Sequence, residues 1–175
     1  MTAPALTRPD PPRDTFFGAL LGRFHVDFDP GVPQPSWWRL TLATMVSLAG
    51  SLAADAALVV AGESVFPTTE HFVHFQFPDY ARLTVIGVVV ACIAWPVVTR
   101  ISSRPRWLFF RMAVVVTVVL LLPDLYIWHQ GEPVRAVGVL MLMHLAIALV
   151  TYNALVHIAP AGHSRVAGGG LRPHD

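Results

Sequence analysis

Charge and cysteine are both scarce in this chain of 175 residues. Only 13% of the residues are charged, which is about half the share found in an average soluble domain. The one cysteine, Cys92, excludes an internal disulfide bond and a metal site built from several cysteines. The formal net charge is +1, so the chain lacks the strong field of one sign that attracts nucleic acid. A soluble enzyme and a nucleic-acid-binding domain are therefore both disfavoured.

Hydrophobic residues, in contrast, make up 54% of the chain, and the mean hydropathy is +0.57. Such a composition is typical of a membrane protein. A helix needs about 20 mainly apolar residues to cross the hydrocarbon layer, and four runs approach or exceed this length. We therefore predict an all-α fold, a bundle of four transmembrane helices. The predicted spans are residues 40–61, 83–99, 107–128 and 134–158.

The predicted membrane domain, residues 37–159, lies between two polar tails. Residues 1–36 are rich in proline and mixed charges, which predicts a largely disordered tail. Within this tail, residues 15–26 place phenylalanine and leucine on one helical face and predict a short amphipathic helix on the membrane surface, which is a candidate docking element. Residues 160–175 include a run of three glycines and predict a second disordered tail.

The distribution of arginine predicts the orientation, because positive residues are enriched in cytoplasmic segments. The two tails and the loop between the second and third spans hold nine arginines, whereas the other two loops hold two. Both termini are therefore predicted to be cytoplasmic. All basic residues are arginine, a bias typical of GC-rich bacterial genomes, so we expect a bacterial plasma membrane. We expect lipid headgroups to contact Arg104, Arg106 and Arg111.

Small and polar residues follow one face of each predicted span, which is typical of helices that pack against each other in lipid. These faces are Gly50 with Ala54, Gly87 with Ala91, Thr117 with Ala113 and Asp124, and His144 with Ala148 and Thr151. An imidazole facing lipid is costly, so His144 should point inward and bond Thr117 or a backbone carbonyl. It would then be a proton-accepting or ligand-contacting residue, or a neutral histidine satisfied within the bundle.

Two acidic residues lie late in their predicted spans, near the outer surface. Asp55 and Asp124 have His71, His74 and His129 in the loops beyond them. Carboxylates and imidazoles are ligands of zinc and similar cations, so the three histidines are weak candidates for a metal site. The same groups are also compatible with a proton relay or with a hydrated pair of helix-end carboxylates. No closed metal motif, nucleophile motif or phosphate loop is present, so we expect no enzymatic activity and no cofactor.

Several short motifs occur in a familiar order. Trp37, Trp38 and Arg39 precede the first span, an arginine-containing loop follows the second, Trp107 opens the third, and Leu142-Met143-His144-Leu145 lies in the fourth. Over about residues 38–160 the chain resembles a family of small actinobacterial four-helix membrane proteins of unknown function. The resemblance implies a four-span fold and a recurrent histidine in the last helix, here His144. It implies no activity and does not extend to the N-terminal tail.

These observations predict an integral membrane protein that acts as a non-enzymatic membrane component or accessory subunit. Its expected partners are the lipid bilayer and either another membrane protein or a second copy of this chain, and not nucleic acid. The alternative is a small transporter or proton-coupled membrane factor that uses His144 with Asp55 and Asp124. A membrane enzyme of lipids or quinones ranks last, because no recognisable nucleophile or metal motif is present.

Overall fold

The predicted all-α, four-span fold is confirmed. A computed structural model describes residues 16–26, 33–66 and 76–162, and these form five helices. Four of the helices are long and apolar enough to cross a membrane. The helices are α1 (Phe16–Arg23), α2 (Trp37–Val65), α3 (Phe77–Ile101), α4 (Pro105–His129) and α5 (Val134–Ile158).

Three of the long helices extend beyond the predicted spans, whereas α5 has the predicted bounds. Helix α3 begins six residues before the predicted start at 83, and Pro78 lies in its first turn. Proline is favoured at this position because its fixed φ suits the helix. Backbone N–H groups in the first turn have no acceptor within the helix, so the N–H that proline lacks is not missed there. Asp79 follows in the same turn, where a carboxylate interacts favourably with the helix dipole. Hydropathy alone misses such polar first turns.

Helices α2 and α5 form the closest pair of the bundle. A Cβ atom built on Gly50 would lie 2.9 Å from Val150 Cγ1, and one built on Gly62 would lie 2.9 Å from Val139 Cγ2. A larger residue at either position would force the valine side chain or the helix to shift. The predicted packing role of Gly50 thus has a structural basis, since small residues let membrane helices approach closely.

The end of the bundle that carries most arginines is closed by the N-terminal segment. Helix α1 ends at Arg23 rather than at residue 26, because His25 adopts the left-handed conformation (φ 51°) and the Val26 N–H donates to the Leu21 carbonyl at 3.0 Å. This pattern is a Schellman C-cap. Val26 then forms an isolated β-bridge with Ser102, between α3 and α4. The segment therefore packs on protein, which the sequence did not predict.

The described tail residues nearest the bundle are held by hydrogen bonds, and disorder of the two tails otherwise stays a prediction. The Gln34 amide donates to the Thr99 carbonyl at 3.3 Å and accepts from Thr99 Oγ1 at 2.9 Å. The Gly162 N–H donates to the Pro33 carbonyl at 3.0 Å. Residues 33–36 and 160–162 are therefore fixed by hydrogen bonds to each other and to α3.

The last carbonyl groups of α5 also have partners at this end. Arg39 Nε donates to the Ile158 carbonyl and the buried Trp95 indole donates to the Ala159 carbonyl, both at 2.8 Å. Terminal helix carbonyls lack intrahelical partners, so these bonds satisfy them. The start of α2, the end of α3 and the end of α5 thus meet at one arginine-rich end.

The interior of the bundle contains two apolar clusters with polar side chains between them. The larger cluster lies towards the arginine-rich end and the smaller towards the opposite end. Between them, the side chains of Asp55, Thr84, Asp124 and His144 form what we call the polar layer. The larger cluster contains Ala43, Val88, Cys92, Trp95, Val98, Leu108, Phe109, Leu155, Val156 and Ala159, and the smaller contains Val59, Tyr80, Ala136, Val139 and Met143.

Candidate functional site

The polar layer lies deep in the bundle, because the helices extend well beyond it. Asp55 is ten residues before the end of α2 and His144 is ten residues after the start of α5. At about 1.5 Å per residue, each is about 15 Å from the arginine-poor end. Asp55 is 0% exposed and Asp124 is 3% exposed. Asp55 is therefore an interior residue, whereas Asp124 lies about 7.5 Å from the end of α4, and hydration of the pair stays a hypothesis.

Asp55 is bound on one side only. Thr84 Oγ1 of α3 donates to Asp55 Oδ2 at 2.6 Å, whereas Asp55 Oδ1 has no hydrogen-bond partner among the described residues. The Asp55 carboxylate also interacts electrostatically with His144 and with the phenol of Tyr80. A buried carboxylate that is only partly satisfied is costly, so a positive charge or a proton nearby stabilises it.

His144 makes two contacts through the same ring nitrogen. Its Nδ1 lies 3.1 Å from the Leu140 carbonyl and 3.0 Å from Asp124 Oδ2. A carbonyl can only accept, so Nδ1 carries the hydrogen and donates it to Leu140, one turn earlier. The contact with Asp124 does not have hydrogen-bond geometry, so it is an ion pair whenever the ring is charged. Nε2 is then the free position of the neutral ring, and a proton that binds there creates the charge facing Asp124.

The pairing of His144 with Asp124 is an outcome that the sequence did not predict. A backbone carbonyl is one of the two expected partners of His144, but Asp124 takes the place expected for Thr117. The Cα atom of His144 lies about 15 Å from the arginine-poor end, whereas that of Asp124 lies about 7.5 Å from it. Side chains lean towards the N-terminus of their helix. Because α4 and α5 are antiparallel, the two side chains lean towards each other and close this gap.

Buried hydroxyl groups extend from the polar layer towards the arginine-rich end. Ser47, Ser51 and Asp55 are all fully buried at four-residue steps along α2. Ser51 Oγ lies 3.5 Å from Thr151 Oγ1 of α5, while Ser47 Oγ has no partner among the described residues. This row covers about 12 Å and stops at the larger apolar cluster. The row of hydroxyl groups therefore reaches the larger apolar cluster from the side of the polar layer.

A cavity of about 450 Å³ lies beside the polar layer, between α3, α4 and α5. We call it the side cavity. Asp124, His144 and Thr117 are among its lining residues, and its wall is otherwise mostly apolar. The predicted small-residue faces of these three helices line it as well, at Gly87, Ala91, Ala113, Ala148 and Thr151. A Cβ atom on Gly87 would meet nothing within 4 Å, so this face leaves space instead of bringing two helices together.

The other predicted site residues do not join this site. His71 and His74 lie outside the described residues, and His129 is exposed at the end of α4. Among the described residues, no group of three or more histidine, cysteine, aspartate or glutamate side chains is close enough to hold a metal ion. The metal hypothesis therefore gains no support from the part of the chain that is described.

The three arginines predicted to contact lipid are exposed at the arginine-rich end of the bundle. The Arg111 guanidinium lies over the Trp107 ring, 3.8 Å from its centroid, which is a cation–π contact. Arg104 and Arg106 are on either side of Pro105, where α4 begins. Contact with lipid headgroups stays a prediction for all three.

Sequence reasoning missed two members of the site, Thr84 and Tyr80. Both are buried on the face of α3 that repeats every four residues and continues to Val88 and Cys92. This periodicity was a usable signal. The pair of Gly87 and Ala91 lies on a neighbouring face of the same helix, and Tyr80 and Thr84 line the side cavity together with this pair.

Fold and site together define a multi-pass membrane protein with a partly buried histidine and two buried carboxylates in its bundle. A model of the protein family described as "Family of unknown function (DUF6069)" matches residues 32–160, and the chain belongs to this family. The expected membership in a family of unknown function is thus confirmed. No curated protein matches the chain. No solved structure matches it either.

Proposed function

We propose that this protein is a non-enzymatic membrane component that binds and releases a proton at His144, with Asp124 and Asp55 as the balancing charges. Of the two functions expected from the sequence, this is the proton-coupled one. The observation that carries it is the 3.0 Å contact between His144 Nδ1 and Asp124 Oδ2 inside a bundle of apolar helices. Ionisable residues within membrane spans often belong to proton or substrate pathways.

The chemistry of the site supports reversible protonation. The ring hydrogen on Nδ1 is held by the Leu140 carbonyl, so the ring keeps its orientation when Nε2 gains or loses a proton. The charged ring faces Asp124 directly and interacts with Asp55, so both carboxylates stabilise it. Access is from the arginine-poor side, because the side cavity reaches from His144 to Asp79 in the first turn of α3.

The orientation and location belong to the same proposal. The end where α2 begins and α5 ends carries Arg39, Arg100, Arg104, Arg106 and Arg111, whereas α3 and α5 carry Arg82 and Arg135 near the opposite end. By the positive-inside rule, both termini are cytoplasmic, and protons reach the polar layer from outside. The location in a bacterial plasma membrane, the actinobacterial origin and the role as an accessory subunit all stay predictions.

Infrared difference spectroscopy of the protein in lipid tests the protonation site. Acidification should perturb a carboxylate band, because the new charge on His144 acts on Asp124 at 3.0 Å. This carboxylate change should vanish in His144→Asn and weaken in Asp124→Asn, where Asp55 is the remaining carboxylate near the ring.

His157→Asn provides the matched control. His157 lies on the same helix and makes the same contact with a carbonyl one turn earlier, at 2.9 Å to Asn153, but it is exposed. The control should keep the full carboxylate signal. A signal that persists unchanged in His144→Asn would overturn the proposal.

A further inference from the structure

We propose that the side cavity binds a lipophilic cation, a molecule with an apolar body and one positive charge. The size, walls and charges of the cavity support the binding site, whereas its link to protonation rests on the proposed function of His144.

The size and walls of the cavity fit an apolar body. Its volume of about 450 Å³ lies within the range of about 300–1,000 Å³ that is usual for small-molecule sites. Most of its wall consists of aliphatic and aromatic side chains of α3, α4 and α5, including Leu83, Ile86 and Val116. These three side chains are also exposed on the outside of the bundle, where lipid would surround them. A ligand that partitions into the bilayer can therefore reach the cavity sideways, between α3 and α4.

The charges at the cavity select the sign of the ligand. Its lining includes the carboxylates of Asp79 and Asp124 and no arginine. The other ionisable groups in the lining are His144, Tyr80 and Tyr152, and both phenols are neutral near pH 7. The formal charge of the lining is thus −2 with His144 neutral and −1 with His144 protonated. An anion is repelled in either state, whereas a cation gains a buried carboxylate, Asp124, as its partner.

A bound cation and a proton on His144 should oppose each other. Asp124 on α4 contacts His144, and Asp55 on α2 interacts with it electrostatically. Asp79 and Tyr80 of α3 and Tyr152 of α5 line the same cavity. All five groups are acidic or neutral, so a second positive charge in the cavity competes with the imidazolium for the same carboxylates. By linkage, binding of the cation then releases a proton, and affinity rises with pH.

Binding of tetraphenylphosphonium to the full-length protein in lipid nanodiscs tests this proposal, with protein-free nanodiscs subtracted. The probe carries a fixed charge, so any effect of pH on its binding comes from the protein. Tetraphenylborate has the same shape and the opposite charge, and it should not bind. Asp124→Asn should weaken the binding of tetraphenylphosphonium by about tenfold or more, as expected when a charged contact is lost. Glu63→Gln, an acidic residue outside the cavity lining, should leave binding unchanged.

A second pair of variants tests the cavity without removing a charge. Gly87→Leu fills the cavity, whereas Gly138→Leu adds the same side chain at a position of α5 outside the lining. A Cβ atom at either glycine meets nothing within 4 Å, so both variants should fold. Only Gly87→Leu should abolish the binding of tetraphenylphosphonium.

The outcomes separate this inference from the proposed function. If the phosphonium does not bind, or binds as well to Gly87→Leu as to Gly138→Leu, the cation site is refuted while the infrared result stands. Equal binding of the borate would indicate a site for lipid or other apolar molecules and would also refute it. If the phosphonium binds equally at about pH 6 and about pH 8, across the range where histidine changes charge, the cation site stands and the link to His144 fails.

Discussion

The hydrogen bond between Thr84 and Asp55 gives the sharpest prediction about stability. Thr84→Val removes the hydroxyl that donates to Asp55 Oδ2 at 2.6 Å and replaces it with a methyl group of nearly the same size. The other carboxylate oxygen already lacks a partner among the described residues. The variant therefore leaves a fully buried carboxylate without this bond, while the packing volume hardly changes.

The expected loss in the free energy of unfolding follows from two sets of measured hydrogen-bond energies. Hydrogen bonds to charged groups in water-soluble proteins are worth about 1.5–3 kcal/mol. Side-chain hydrogen bonds between membrane helices average about 0.6 kcal/mol and reach about 1.7 kcal/mol. The short distance and the complete burial place this bond near the upper membrane value, so we expect a loss of about 1–2 kcal/mol.

Reversible unfolding in mixed micelles, followed by circular dichroism, measures this loss. Thr41→Val is the matched control, because the Thr41 hydroxyl is exposed and donates only to the Trp37 carbonyl of its own helix. If Thr84→Val unfolds with the same free energy as the wild type or as Thr41→Val, the bond contributes nothing. The description of Asp55 as a carboxylate held by α3 would then be refuted.

Two further predictions concern how the helices pack. Gly50→Ala should destabilise the bundle by about 1–3 kcal/mol, because its Cβ would lie 2.9 Å from Val150 Cγ1. Val150→Ala in the same chain should restore most of the loss, and a Gly50→Ala variant as stable as the wild type would contradict the close contact. Trp95→Phe should lower the free energy of unfolding by about 1 kcal/mol, because the Ala159 carbonyl loses its indole donor at 2.8 Å. Reversible unfolding of both variants in the same micelles measures these losses. A Trp95→Phe variant with the same free energy of unfolding as the wild type would contradict the predicted role of the indole hydrogen bond.

The four spans and their packing faces could be predicted because they depend on local pattern. Length and hydropathy locate α5 at residues 134–158, as the structure does. The inward direction of His144 follows from the cost of an imidazole in lipid, and it agrees with the Leu140 contact. The glycine at position 50 marks a close helix pair, and the structure bears this out.

The site itself could be predicted only in part, because it depends on how far helices extend and how side chains lean. A span ending at 61 places Asp55 near the surface, whereas α2 continues to Val65 and buries it. Depths taken from Cα positions separate Asp124 from His144, although their side chains meet at 3.0 Å. The sequence pattern of Gly87 was indistinguishable from that of a packing glycine, and only the placement of α4 shows that it lines a cavity.

A double-mutant cycle between Asp124→Asn and His144→Asn tests most directly that these two residues form the core of the site. Unfolding free energies of the wild type, the two single variants and the double variant are measured in the same micelles, below about pH 6, where histidine favours its charged form. For two residues in contact, we expect a coupling energy of about 0.5–2 kcal/mol. If the losses of the two single variants sum to the loss of the double variant within about 0.3 kcal/mol, the two residues are not coupled. This result would contradict the pairing and, with it, the proposed protonation site.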